Sequence, residues 1–237
     1  MDMSFYTAAL AAAGQQERMN VIANNIANVN TEGFRAKNAV FTDLMYYNMR
    51  DEEEAETKVK AGCGITVQRT DTNFDESALA FTGDDYDFAI TGRGFFMLQN
   101  PATQEITYTR NGKFSSSLRE DGFYLVNDAG RLVLDENRNP IRIGEEGLSR
   151  ERLPGIFTFP MLYGMQNAGS NELTVSGYNG EPAAAAGASL HQGYLEQSNV
   201  NLADEMSKTI ESSRAYSYVL KMIQTSDEIE QTINSLR

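Results

Sequence analysis

The 237-residue chain predicts an α+β fold in which N- and C-terminal helices form a coiled-coil-like bundle and an antiparallel β-domain is inserted between them. Three observations carry this reading. Near the N-terminus Phe5, Ala8, Ala12, Gln15, Met19, Ile22, Ile26 and Val29 recur at alternating steps of three and four. Near the C-terminus Ala215, Val219, Met222, Ser226, Ile229, Ile233 and Leu236 follow the same rule. Such spacing lays a narrow seam along one side of a helix. Between the two seams, short apolar runs alternate with Gly and Asn turn signals, the pattern of antiparallel strands. Each helix alone would leave its seam in water, so the ends pack on each other, on neighbouring copies, or both.

The first helix is expected over residues 4–28, with Ser4 as N-cap and a helix-favouring alanine run from Ala8 to Ala13. Gly14 costs about 1 kcal/mol against alanine inside a helix and leaves room for a close neighbour. The helix runs into Asn24, Asn25, Asn28, Asn30 and Gly33, residue types that tolerate left-handed backbone and mark an ordered helix end. Because Ile26 and Val29 carry the stripe through this cluster, some of the asparagines are expected to face a partner. Residues 34–49 read equally well as extended chain or short helix. Five acids at Asp51, Glu52, Glu53, Glu54 and Glu56 predict an exposed loop rather than a metal site.

From Gly64 to Leu195 the chain reads as strands: Ile65, Val67 and Arg69 alternate with polar neighbours, and Phe88, Ile90 and the run Phe95–Leu98 follow. Thr91-Gly92, Asn111-Gly112, Asp121-Gly122, Ala129-Gly130 and Asn139-Pro140 supply the turns. The last helix is expected from about Asn201, with Leu202, Met206 and Ile210 as its first apolar patch. The expected organisation is thus 1–33 helix and turn, 34–69 connecting segment with the acidic loop, 70–195 β-domain and 196–237 C-terminal helix. Subunit-facing positions are expected at Phe5, Ala12, Met19, Ile22, Asn24, Asn25, Ile26, Asn28, Asn30 and Gly33. On the second helix they are expected at Leu202, Met206, Ile210, Val219, Met222, Ile229, Ile233 and Leu236.

Composition narrows the function classes. A formal charge of -13 argues against a nucleic-acid partner, which needs clustered Lys and Arg. One cysteine, Cys63, and one histidine, His191, leave no intramolecular disulfide and no His- or Cys-rich metal cluster. Gly92-Arg93-Gly94 lacks the further glycine of a dinucleotide fingerprint and the Gly-Lys-Ser/Thr of a phosphate loop. Asp84, Asp85 and Asp87 miss the spacing of a calcium loop. No Gly-x-Ser-x-Gly accompanies the single histidine. The motifs therefore assign no cofactor, no catalytic residue and no metal ligand, and a catalytic carboxylate pair stays open among the thirty-three acids. Asp2 stands where a signal peptide would be basic, and no stretch is long and apolar enough to insert in a membrane. That leaves the cytoplasm, or export with the N-terminus intact.

"VIANNIANVNTEGFR" (Val21–Arg35), preceded by "YTAALAAAGQQERMN", resembles the N-terminal signature of the flagellar rod and hook axial proteins. "ITGRGFFML" (Ile90–Leu98) with "YTRNGKFS" is similar to that family's β-domain core. "GYLEQSNVNLADEM" (Gly193–Met206) and "RAYSYVLKMIQTSDEI" are similar to its last helix. Within the family, "FTDLMYYNMR" (Phe41–Arg50) looks most like the distal rod branch, with the proximal rod paralogue second. The acidic stretch after Met49 and the region 144–188 depart from the pattern.

The resemblance implies a non-enzymatic subunit of the bacterial flagellar basal-body rod. It implies export through the flagellar type III apparatus and helical stacking on itself and on other rod and hook proteins, transmitting torque from motor to hook. The terminal segments are expected to order as they dock, since isolated helices of this length are marginal in water. Polar Gln15 and Ser226, within the seams, are expected to set register. Two other classes fit less of the sequence: a coiled-coil adapter with a β ligand-binding domain, and a hydrolase using a carboxylate pair.

Overall fold

The computed structural model describes residues 3–44, 46–48, 60–119, 121–144, 152–185 and 187–236. The acidic run 51–56 lies outside them. The described residues form two compact units: 1–28, 36–73 and 200–237 make the first, and 29–35 and 74–199 the second.

The first unit contains both helices, α1 (Met3–Ala27) and α2 (Leu202–Ser235), and the strands β1 (Lys37–Asp43), β2 (Tyr46–Asn48), β3 (Lys60–Gly62) and β4 (Ile65–Thr72). Helix α1 begins at Met3, so Ser4 lies in its first turn and is not the cap. At its other end the Asn28 N–H donates to Asn24 and Asn25 carbonyls, and Asn28 Nδ2 returns to the Asn24 carbonyl at 2.8 Å. Asn28 thus ends the helix by satisfying carbonyls that the last turn leaves without partners. Helix α2 is capped by Asn201, whose Oδ1 accepts from Ala203 N at 3.0 Å, and Asp204 and Glu205 lie in its positively polarised first turn.

Strands β1 and β4 pair antiparallel from Lys37↔Thr72 to Asp43↔Ile65, with a bulge between Val40 and Phe41. This resolves residues 37–43 as extended chain. The pair belongs to the helical unit because small residues on both sides let α1 approach it: a Cβ on Gly14 of α1 would sit 3.3 Å from the Phe41 ring, and one on Gly64, just before β4, would meet Thr7 and Leu10 at 3.6 Å. The glycine that weakens α1 by propensity is thus the place where an aromatic ring approaches its backbone.

The second unit holds β5 (Leu79–Phe81), β6 (Phe88–Thr91), β7 (Phe95–Gln99), β8 (Ile106–Thr109), β9 (Ser115–Arg119), β10 (Gly122–Val126) and β11 (Leu132–Val133). It continues through β12 (Arg142–Ile143), β13 (Ile156–Thr158), β14 (Gln166–Gly169), β15 (Glu172–Thr174), β16 (Ala183–Ala184), β17 (Ser189–Gln192) and β18 (Tyr194–Glu196). All its pairings are antiparallel. The main sheet has β9 beside β10 at one end, then β11 and β12, β7, β8, β15 and finally β14 at the other.

Strand β7 explains why Phe95–Leu98 is a continuous apolar run rather than an alternating one. Successive side chains leave a strand on opposite faces, and here both faces are buried. Phe96 and Leu98 enter a core with Phe88, Ile90, Phe114, Leu125, Val133 and Ile141. Phe95 and Met97 enter a second core with Tyr108, Leu134, Phe157 and Phe159. Tyr108 and Phe159 meet edge to face with centroids 4.8 Å apart, a geometry that adds to area burial.

Candidate functional site

Each unit has a buried polar cluster, and the helices carry a set of exposed apolar side chains; these are the candidate features. In the helical unit the central residue is Asn25, buried near the end of α1. Its Nδ2 donates to the Lys37 carbonyl at 2.8 Å and to Glu205 Oε2 at 3.1 Å, while its Oδ1 accepts from Lys37 N at 2.9 Å. Only a carboxamide can both donate to and accept from a backbone in this way. Asn25 therefore joins α1, β1 and α2 at one point. Glu205 also takes Lys208 Nζ at 2.6 Å, and burial pulls the Lys37 ammonium below its ordinary pKa. Asn25→Asp would lose both donors and set a second carboxylate against Glu205. A cost of about 3 kcal/mol is expected, measured as a lowered unfolding midpoint followed by helical circular dichroism.

The β-rich unit has an ionic counterpart. Glu196, in β18, receives Arg35 Nη2 at 2.6 Å and Ser77 N at 3.1 Å on Oε1, and Arg110 Nε lies 3.5 Å from Oε2. All three charged side chains are buried. Of the other guanidinium donors, Arg35 Nη1 goes to the Asp75 carbonyl and Arg110 Nη2 to the Gly92 carbonyl at 2.7 Å, while Arg35 Nε is buried without a hydrogen-bond partner. Burial lowers the Arg110 pKa; Glu196 opposes the shift and neighbouring Arg35 adds to it. Gly33 completes the cluster. Its N–H donates to the Glu196 carbonyl at 2.7 Å, its φ is +66°, and a Cβ would lie 2.5 Å from Asn111 N.

Sequence-predicted positions divide accordingly. Ile22, Asn25 and Gly33 are buried in the single chain and hold its own fold; Ala12, Met19, Ile26, Asn28 and Val219 are half-buried. Phe5, Asn24, Asn30, Leu202, Met206, Ile210, Met222, Ile229, Ile233 and Leu236 are exposed. Gln15 is half-buried with its Oε1 enclosed and without a hydrogen-bond donor; Ser226 is half-buried.

The seam expected along α2 therefore splits. Ala215, Val219 and Ser226 lie on a half-buried side that continues buried Glu205 and Ser212, while Met222, Ile229, Ile233 and Leu236 face water. For Ile229, Ile233 and Leu236 the reason is register and length. Asn25 pairs with Glu205 and Arg18 with Glu211 at 3.3 Å, so the helices run antiparallel, and Met3 comes level with about Asp227. Helix α1 has 25 residues and α2 has 34, so the last turns of α2 run on past the start of α1.

Residues 5–35 match the family model described as flagella basal body rod protein. Residues 89–151 match the flagellar hook protein FlgE/F/G D1 domain, and 191–236 the flagellar basal body rod FlgEFG protein C-terminal model. The flagellar basal-body rod protein FlgG of Buchnera aphidicola subsp. Schizaphis graminum is 33% identical over 249 residues, covering 94% of this chain and 95% of that protein. The chain belongs to the flagellar basal-body rod protein family. FlgG of Borreliella burgdorferi is 32% identical, covering 100% of the chain and 99% of its own length, and FlgF of Caulobacter vibrioides is 31% identical, covering 98% and 96%. As a rod-family protein it is a structural subunit of the flagellar basal body and not an enzyme.

The Arg35–Glu196–Arg110 cluster went unread in the sequence, though its members stand in the three segments that carry the rod-family resemblance. The signal available was a pair of matched charges at the motif ends: Arg35 closes the first motif and Glu196 opens the last. His191 is exposed, with Nε2 3.3 Å from Ser189 Oγ, and Cys63 is a half-buried free thiol. Among the described residues no His, Cys, Asp and Glu side chains gather as a metal site, and no helix is long and apolar enough to cross a membrane.

Proposed function

We propose that this rod subunit polymerises helically through the exposed apolar faces of α1 and α2, and that the polymer carries torque from motor to hook. The observation behind this is that large apolar side chains at both termini stay in water in the single chain: Phe5, Tyr6 and Leu10 on α1, and Met222, Ile229, Ile233 and Leu236 on α2. Each such side chain gains roughly 1.5–3 kcal/mol when buried. A few of them offset the cost of ordering the helix ends, so these segments complete their folding as they dock. Repeating one contact between unlike faces builds a filament rather than a closed ring. In this reading the helices line the tube, and the subunit leaves through the flagellar type III export apparatus to meet other rod and hook proteins. The similarity of Phe41–Arg50 to the distal rod branch favours the distal position over the proximal one.

Deletion of the gene and electron microscopy of the isolated basal bodies tests this. The expected particles carry a rod that stops short and bears no hook. Rods of full length with hooks attached would overturn the assignment, and a stop next to the export gate would move the subunit to the proximal position.

A further inference from the structure

The chain passes between its two units four times, after Asn28, Arg35, Asn73 and Asn199. A single passage carries pull but not twist, because every residue in it turns about two soft backbone dihedrals. Several passages resist twist only where their ends are tied to one another. In each unit the ties centre on the buried polar cluster described above.

In the β-rich unit the passages emerge from segments 29–35, 74–78 and 196–199, and these are bonded to one another. Glu196 takes Arg35 and Ser77 N on Oε1, and the Gly33 N–H on its carbonyl. The Asp75 carbonyl accepts from Arg35 Nη1 and, at 3.3 Å, from Asn199 Nδ2. Ser77 Oγ donates to the Ser198 carbonyl at 3.0 Å, and Asn199 N to the Phe34 carbonyl at 3.3 Å. Asn171 Nδ2 donates to the Glu32 carbonyl at 3.0 Å.

The helical unit repeats this on its own side. Asn25 of α1 holds Lys37 of β1 and Glu205 of α2. Lys37 pairs with Thr72 across β1 and β4, and Asn73 N donates to the Ala36 carbonyl at 2.8 Å. Each segment that leaves this unit is thus joined to another. The spans left between ties are short. Arg35 and Lys37 are tied in different units two positions apart, as are Asn73 and Asp75, and Asn199 lies two positions before Asn201, the cap of α2. Slack grows with the number of free residues, so spans this short take up load with little extension.

We infer that the Asn25 and Glu196 clusters are a matched pair of clamps, which make the four chain passages act together and carry twist between the helical unit and the β-rich unit. The inference rests on the rod reading above and adds that the β-rich unit shares the torque. Polar groups suit this task. A carboxamide or a carboxylate holds several backbone segments at once with directional bonds, whereas apolar packing is non-directional and lets segments slide. Asn25 and Glu196 are both buried, so water does not compete for those bonds.

The test is rotation under load in cells whose only copy of the chain carries Ser77→Ala with Asn199→Ala. These changes remove two side-chain ties, Ser77 to Ser198 and Asn199 to Asp75, and leave Glu196 with all its partners. Hooks are expected in the original number, and small beads attached to them are expected to turn at the original speed. Tethered whole cells, which load the motor heavily, are expected to stop or break free about tenfold sooner, the rate factor for two lost hydrogen bonds. Unchanged persistence under heavy load overturns the inference. So does a loss of hooks, which would make these bonds part of assembly instead. Thr174→Ala with Ser176→Ala removes two side-chain bonds of the same unit outside the passage segments, and heavy-load rotation is expected to survive it. An equal failure of that pair overturns the inference. Cells lacking the chain that still turn under load overturn the rod reading, and this inference with it.

Discussion

Glu196→Gln is expected to destabilise the β-rich unit by about 3–5 kcal/mol, the cost of removing one partner from a buried ionic cluster. Glutamine keeps the shape and can still accept from Arg35 and Ser77, so the loss isolates the charge. Without it, two buried guanidiniums, Arg35 and Arg110, are left together with no buried counter-ion between them. Tyrosine fluorescence during denaturation follows the loss, since the chain has no tryptophan and six of its eleven tyrosines belong to this unit. Arg35→Gln in the same chain removes one of the two uncompensated charges and is expected to return part of the stability. A loss below about 1 kcal/mol, the scale of an exposed pair, would show that water screens the cluster.

Gly33→Ala has the second largest expected effect, and a built-in control separates its two causes. The first is backbone: at φ +66° an L-residue costs roughly 1–2 kcal/mol. The second is space, because the new Cβ would meet Asn111 N at 2.5 Å and the Arg110 carbonyl carbon at 2.6 Å. Neither atom is the movable end of a side chain, so the segment beside Arg110 must shift and disturb the Glu196 cluster. Gly130 has φ +75°, and a Cβ added there would have nothing within 4 Å, so Gly130→Ala carries the backbone cost alone. Thermal unfolding should show Gly33→Ala losing at least ~2 kcal/mol more than Gly130→Ala. Equal losses would mean that the Arg110–Asn111 backbone yields freely.

Local physics was legible in the sequence, and long-range pairing was not. The start of the last helix near Asn201, the turns around Gly92, Gly122 and Gly130, and the strand at Phe95–Leu98 all follow from neighbouring residues. The α+β class follows from the same local periods. Asn25 shows the limit. Its place in an asparagine-rich helix end pointed toward a partner, and the partners it has are Lys37 and Glu205 of its own chain. Spacing along a helix says that residues share a side; it does not say whether that side meets the same chain or another. Register then decided the fate of the α2 seam, because nothing in α2 itself announces that α1 ends near the level of Asp227. The Glu196 cluster joins residues from three distant segments, so no local window contains it. Strands β1 and β4 joined the helices for a similar reason: Phe41 needed the flat place that Gly14 leaves on α1.

In the proposed assembly the exposed end of α2 serves neighbours rather than the chain's own fold. The direct test is Ile229→Ser with Ile233→Ser and Leu236→Ser, measured twice, as unfolding midpoint of the free chain and as the amount incorporated in isolated basal bodies. These side chains are already in water in the single chain, so the midpoint is expected to stay within about 0.5 kcal/mol of the original, as for other surface changes. Incorporation is expected to fall at least tenfold, the scale of losing interface anchors. Normal rods built from the triple variant, or a chain that unfolds before it can assemble, would contradict this role for α2.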